Sequence, residues 1–212
     1  MAINPPDYSF ETAAHARGML RIAGVDEAGR GPLAGPVTAA AVVLDPANIP
    51  DGLNDSKKMT AKRREALYAT LLEVAEVSVA HASVEEIDQI NILRASHIAM
   101  ERAVLGLRTP PDFALIDGHM IPRSLSVPAE AIVKGDARSV SISAASIAAK
   151  ICRDQIMWDL AQQFPGYGWD KNAGYPSPGH KEALRNLGVT PHHRRSFKPV
   201  HNILYQDKTV SD

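Results

Sequence analysis

Residues 19–44 read MLRIAGVDEAGRGPLAGPVTAAAVVL. The first part, 19–27, is strand-like, with Leu20, Ile22 and Val25 as its apolar positions. Gly29, Gly31, Pro32, Gly35 and Pro36 then crowd into eight residues and predict a turn or loop. VTAAAVVL (37–44) is an unbroken apolar run, the pattern of a strand buried on both faces. Two strands joined by a short connection predict an antiparallel pair. The first of them ends in an acid pair, Asp26–Glu27, just before Gly29.

Working outward, 1–18 reads as a loose leader and 45–59 as a polar loop. Thr60 opens a helix with Leu67, Leu71 and Val74 at helical spacing, and 77–84 alternates as a third strand. Ser83 and Glu86 form a capping box for one helix to about Leu107, stopped by Pro110–Pro111. FALIDGH (113–119) and EAIVKGD (130–136) predict two more strands. Residues 141–164 form a long helix whose Ala- and Ser-rich start permits close approach to a sheet, and Pro165–Gly166 end it. HKEALRNL, followed by Gly188, is a last short helix. The class is α/β, a sheet with helices on its faces.

The chain of 212 residues has one cysteine, Cys152, which excludes an internal disulfide framework and reads as packing within a helix. Apolar residues at 45% and charged residues at 22% predict a folded domain rather than disorder. No apolar run approaches the ~18 residues of a membrane span, and the first residues lack the apolar core of a secretory signal. A soluble, cytoplasmic protein without membrane contact is expected. The net charge of −1 names no partner, but residues 171–208 hold seven Lys and Arg against two acids. That end reads either as a phosphate-binding face or as an ordinary basic surface.

Three predicted strand ends each deliver acid: Asp26–Glu27, Asp117 and Asp136. Taken singly, each has a plainer reading. Asp117 before Gly118 is a turn former, Asp136 pairs with Arg138, and Asp26 and Glu27 point to opposite faces unless the strand ends there. Together they suggest a carboxylate cluster at a sheet edge, which needs a cation to offset repulsion. Oxygen ligands favour Mg²⁺ or Mn²⁺, and no Cys/His set has zinc spacing. Ser143 and Ser146 read as packing against the sheet rather than as nucleophiles.

GVDEAGRGPLAGPV (24–37) closely resembles the first motif of bacterial ribonuclease HII, the type 2 ribonuclease H family. NDSKKM (54–59), LIDG (115–118), VKGDARSVSISAASIAAKICRD (133–154) and GYPSPGHKEALRNLGVTPHHRRSF (174–197) resemble the same family in the same order. The resemblance implies a ribonuclease H-like mixed sheet flanked by helices, with a small C-terminal helical segment, over 19–198, leaving 199–212 as a tail. It implies a monomeric endonuclease that uses Mn²⁺ or Mg²⁺. The implied substrates are RNA–DNA hybrids and duplex DNA with an embedded ribonucleotide, cut by a two-metal mechanism to leave 5′-phosphate and 3′-hydroxyl ends. The family's acidic quartet falls on Asp26, Glu27, Asp117 and Asp136, the first three as metal ligands. Its sugar-sensing loop falls on Gly29, Arg30 and Gly31, and its stacking tyrosine on Tyr175.

Lys57, Lys58, Lys134, Arg194, Arg195 and Lys198 are expected phosphate contacts, Lys58 and Arg194 foremost. One departure is visible: Asn172–Ala173 stand before Gly174–Tyr175, where the family carries His-Lys. Two other readings stay open, a hybrid-binding protein without activity and a DNA-only enzyme on the same fold. The four acids argue against the first. The glycine loop and the tyrosine argue against the second.

Overall fold

The computed structural model describes residues 5–205. Strands β1 (Ile22–Ala28), β2 (Val37–Val43), β3 (Glu76–Ala82), β4 (Phe113–Asp117) and β5 (Ala129–Ile132) form one sheet in the order β3-β2-β1-β4-β5. β1 pairs antiparallel with β2 and parallel with β4, so the sheet is mixed, as expected. The turn-rich 29–36 stretch joins the antiparallel pair.

The apolar run of β2 explains the layering. Ala39, Ala41 and Val43 face one side, where α3 (Val84–Ile90) and α4 (Ile92–Leu105) bring Ile87, Ala95, Ala99 and Met100. Ala40, Val42 and Leu44 face the other, where α2 (Ala61–Val74) and α5 (Val140–Gln163) bring Leu67, Leu71, Ala144 and Ala148. A strand covered on both faces has no polar side, hence no alternation. The small residues that open α5 let it sit close to β1. At Gly24, a Cβ would lie 2.1 Å from the carbonyl carbon of Ser141.

Four expectations change. Residues 1–18 are not simply a loose leader: α1 (Ser9–Ala16) packs Ala14 into the core. Its buried Glu11 carboxylate accepts from the Ser141 N–H at 3.0 Å and the Ser139 hydroxyl at 2.6 Å. That places a negative group at the positive end of α5. The helix expected from Ser83 to Leu107 breaks at Asn91. This residue takes φ +67°, and its side chain accepts from the N–H groups of Leu93 and Arg94 to start α4 afresh. The strand expected to reach 136 ends at Ile132, and the chain turns through left-handed Lys134 into a short 3₁₀ turn, Gly135–Ala137. The tail yields a helix, α8 (Lys198–Tyr205), whose Val200 packs on Leu33 and Leu184; residues 206–212 lie outside the described residues.

The C-terminal segment also contains α6 (Trp169–Asn172) and α7 (Pro178–Leu187). No helix among the described residues is long and apolar enough to cross a membrane. Replacing Gly24 with alanine is expected to cost about 3 kcal/mol by overpacking and to lower Tm by roughly 10 °C. A thermal melt within 2 °C of the unsubstituted chain, on the order of the effect of a sub-kcal change, would refute the close approach of α5.

Candidate active site

β1 and β4 are parallel neighbours with Val25 beside Ile116, so their carboxyl ends lie side by side. Asp26 and Glu27 at the end of β1 therefore meet Asp117 at the end of β4. Asp117 in turn holds the fourth acid. Its Oδ1 accepts from the Gly135 N–H at 2.7 Å and the Asp136 N–H at 3.4 Å, fastening the 3₁₀ turn against the strand end.

Asp26 and Asp136 are buried; Glu27 and Asp117 are partly exposed. Burial raises the Asp26 pKa well above the usual carboxylate range, and Glu27, Asp117 and Asp136 raise it further against the opposing Ser146 hydroxyl. Glu27 is raised by burial, with Asp117 adding to it and Arg30, at 3.2 Å, working against it. Asp117 is raised by burial and then by Asp136. Burial works against the Lys57 ammonium, but Asp136, Asp26 and Asp55 outweigh it and raise its pKa; Lys57 Nζ stands 3.5 Å from the Asp136 carboxylate.

These are hard oxygen donors, mutually repelling and short of positive charge, the chemistry that suits a divalent cation. Among the described residues, no three potential ligand groups already converge on a single ion position. The four acids are close enough to feel one another and do not form a closed cage by themselves.

A cleft of about 430 Å³ opens beside them, lined by Glu27, Gly29–Gly31, Tyr175, Lys57, Arg64 and Lys150 among others. Arg30 and Gly31 are exposed at its wall. Gly29 is required where it stands: φ is +98°, and a Cβ would come 1.9 Å from Arg153 Nε. Tyr175 is 46% exposed, which removes a packing role for its ring, and its Cε1 lies 3.3 Å from where a Cβ on Gly31 would be.

The basic residues are distributed differently from expectation. Arg194 is not a phosphate contact. It is fully buried, and its guanidinium donates to the carbonyls of Gly29, Arg30, Gly35 and Pro36 at 2.6–3.1 Å. A basic residue's charge gives no information on its exposure, and here four backbone oxygens stand in for water. Arg153, which sequence reasoning passed over as part of a helix, does the same from the other side, donating to Ala34, Pro36 and Ala173. Burial lowers Arg153 to about 10 and Arg194 to about 9.

Lys58 and Lys134 are exposed, Lys58 Nζ lying 3.8 Å from Asp55, and neither borders the cleft. Arg195 borders a separate depression with Glu85 and Asp88. Lys198 is exposed at the start of α8. The cations at the cleft are Arg30, Lys57, Arg64, Lys150 and the inner Arg153. Arg64 and Lys150 carry no local sequence signal; only the packing of α2 against α5 brings them together. Ser146, expected as packing, also reaches the cleft and bonds the Ser56 hydroxyl at 2.8 Å.

Asn172, where a histidine was expected, holds the turn that presents Tyr175. Its Oδ1 accepts from the Gly174 N–H, its carbonyl from the Tyr175 N–H, and its amide donates to Tyr167, each at 2.8 Å. Behind Tyr175 lies a buried polar chain. His193 Nδ1 accepts from the Thr190 N–H, so its proton is on Nε2 and points to His180 Nε2 at 3.1 Å. The latter also accepts from Trp169 Nε1, while His180 Nδ1–H donates to the Tyr175 carbonyl. Every nitrogen is committed with both rings neutral.

Burial, then His180 and His192, push the His193 pKa down to about 3. Unfolding restores an ordinary histidine near 6.5, so the unfolded chain binds the extra proton between pH 6.5 and 3. Stability contributed here is complete above pH 6.5 and is lost as pH falls below it. His193→Gln should therefore show a shallower fall in Tm between pH 6.5 and 4.5 than the unsubstituted chain. Equal slopes would contradict a neutral buried His193.

The chain matches the family model described as Ribonuclease HII over residues 23–200. It is 70% identical over 202 residues to a Ribonuclease HII of Ruegeria pomeroyi, covering 95% of this chain and 86% of that protein. It is 69% identical over 211 residues to a Ribonuclease HII of Cereibacter sphaeroides, covering 100% of both. The crystal structure of the ribonuclease H2 from Pyrococcus horikoshii OT3 superposes with a TM-score of 0.75 at 30% identity, over 90% of this chain and 100% of that one. The mixed sheet, the acids at its strand ends and this match over most of the chain agree: the protein belongs to the ribonuclease HII family of metal-dependent ribonucleases.

Proposed function

We propose that this site cuts the RNA strand of RNA–DNA hybrids and also duplex DNA at a single embedded ribonucleotide, leaving 5′-phosphate and 3′-hydroxyl ends. The general activity, endonucleolytic cleavage of RNA in RNA–DNA hybrids, follows from the family. The finer reading is supported by one observation: Glu27 on β1, whose carboxyl end lies beside that of β4 and its Asp117, lines a cleft together with the 29–31 loop and an exposed tyrosine.

Asp26, Glu27 and Asp117 would hold the cations, with Asp136 completing the quartet. Two divalent ions, Mg²⁺ or Mn²⁺, would supply an activated water and neutralise charge on the leaving oxygen. The remaining work falls to the chain. The exposed backbone of Arg30 and Gly31, preceded by the buried Gly29, reads the 2′-hydroxyl, the group that separates RNA from DNA. Tyr175 offers a flat face for a sugar beside it. Lys57, Arg64 and Lys150 attract phosphates along the cleft, positioning the backbone without reading bases; Lys58 contributes from the exposed flank. We assign the protein to the cytoplasm as a monomer.

A DNA duplex with one ribonucleotide, incubated with Mg²⁺, Mn²⁺ or chelator, should be cut once, in metal only. The all-DNA control should stay intact. Asp117→Asn should lower the rate by more than about 100-fold, the upper end for loss of even an outer partner of a metal site. Binding of the duplex without cleavage in either metal would favour a silent binding protein instead.

The repulsion among the acids gives a second test. In chelator, Asp26→Asn keeps the oxygen that accepts from the Glu27 N–H and removes a carboxyl whose ionisation burial and the neighbouring acids oppose. It should raise Tm by roughly 2–4 °C, about 1 kcal/mol for a chain of this size. Added Mn²⁺ should raise the Tm of the unsubstituted chain and move the variant little. A variant less stable in chelator would argue against the cluster.

A further inference from the structure

Arg194 lies beneath the loop that faces the cleft. Its Nη2 donates to the Gly29 carbonyl at 2.6 Å and its Nη1 to the Arg30 carbonyl at 3.0 Å. Those two carbonyls belong to the peptide units that carry the Arg30 and Gly31 N–H groups. The described chain has no cis peptide, and in a trans peptide the C=O and N–H point in opposite directions. Drawing both oxygens down onto one buried guanidinium therefore turns both N–H groups the other way, toward the side on which Arg30 and Gly31 are exposed. Neither N–H has an acceptor among the described residues. The same fork fixes Gly35 and Pro36 at the far end of the loop, so the peptides cannot rotate without breaking several bonds at once.

We propose that Arg194 is a positioning residue for ribonucleotide selection: it orients the Arg30 and Gly31 N–H groups as a pair of donors for an oxygen in the cleft. The acceptor chemistry is an sp³ or anionic oxygen, supplied by a sugar hydroxyl or a phosphate; the first is proposed, which rests on the reading that residues 29–31 recognise the 2′-hydroxyl. Arg153 does not share this role. Its carbonyl partners are Ala34, Pro36 and Ala173, none of which belongs to the two outward-facing peptides.

The test compares dissociation constants, in chelator, for a duplex with one ribonucleotide and its all-DNA counterpart. The unsubstituted chain should prefer the ribonucleotide. Arg194→Lys keeps the charge and loses the fork, and should forfeit about fivefold to tenfold of that preference, the loss of one to two neutral hydrogen bonds, with all-DNA affinity little changed. Retention of the full preference by a folded Arg194→Lys chain overturns the proposal. Amide hydrogen exchange on the unsubstituted chain is independent of whether the variant folds. The Arg30 and Gly31 amides should exchange quickly in the free protein and slow only with the ribonucleotide duplex. Slow exchange in the free protein, or equal protection by both duplexes, also overturns it. If the unsubstituted chain shows no preference between duplexes, the reading of the loop fails; fast free-protein exchange at those amides would still support the orientation set by Arg194.

Discussion

Two guanidinium groups without a carboxylate hold the site together. Removing a charge from water is expensive unless other dipoles replace the water. Here the dipoles are peptide carbonyls of residues 29–36 and of Ala173, and the cations they solvate are Arg153 and Arg194. The arrangement binds in both directions. The loop keeps the guanidiniums charged in the interior, and they keep the loop in one shape. Backbone bonds add to this: Leu33 N–H donates to Gly174, Gly35 N–H to His192, and Arg194 N–H to Leu33. The last helices are thus part of the catalytic body, because the loop that begins at the end of β1 has no shape without them.

The acids depend on a different constraint. They are placed by strand ends and by one turn, and a sheet edge fixes them whether or not they repel one another. The energy to hold such a cluster comes from the buried layers on both faces of β1 and β2. The close seat of α5 on Gly24 brings Ser146 within hydrogen-bonding reach of Asp26. Function and packing are therefore in tension at Asp26, where burial disfavours the charge that metal binding requires.

Much of this was legible from residues alone. The apolar run of β2, the capping box at Ser83 and Glu86, the strand end at Asp117, and the turn chemistry of 29–36 are local signals, and the structure carries each, while β1 runs one residue past the expected acid pair to Ala28. Two of the failures, at Glu11 and Arg194, depend on contacts distant in the chain. Glu11 reads as one more surface acid until the start of α5 is placed beside it. Arg194 reads as a phosphate ligand because charge is visible in a sequence and burial is not. Asn91 interrupts an otherwise continuous helical pattern because its side chain can cap a new helix while its backbone leaves the old one, a local choice that periodicity does not register.

The bond between Glu11 and Ser141 bridges 130 positions, and Arg194 reaches back 165 to Gly29. During synthesis the chain emerges from its amino end, and contacts that close long loops form late. The first helix leaves the ribosome early but has nowhere to dock until the start of α5 follows. The 29–36 loop is made early and lacks its Arg194 anchor until that residue has been added. A nascent chain halted before residue 194 would present the acids of the sheet without the anchor that shapes the 29–36 loop.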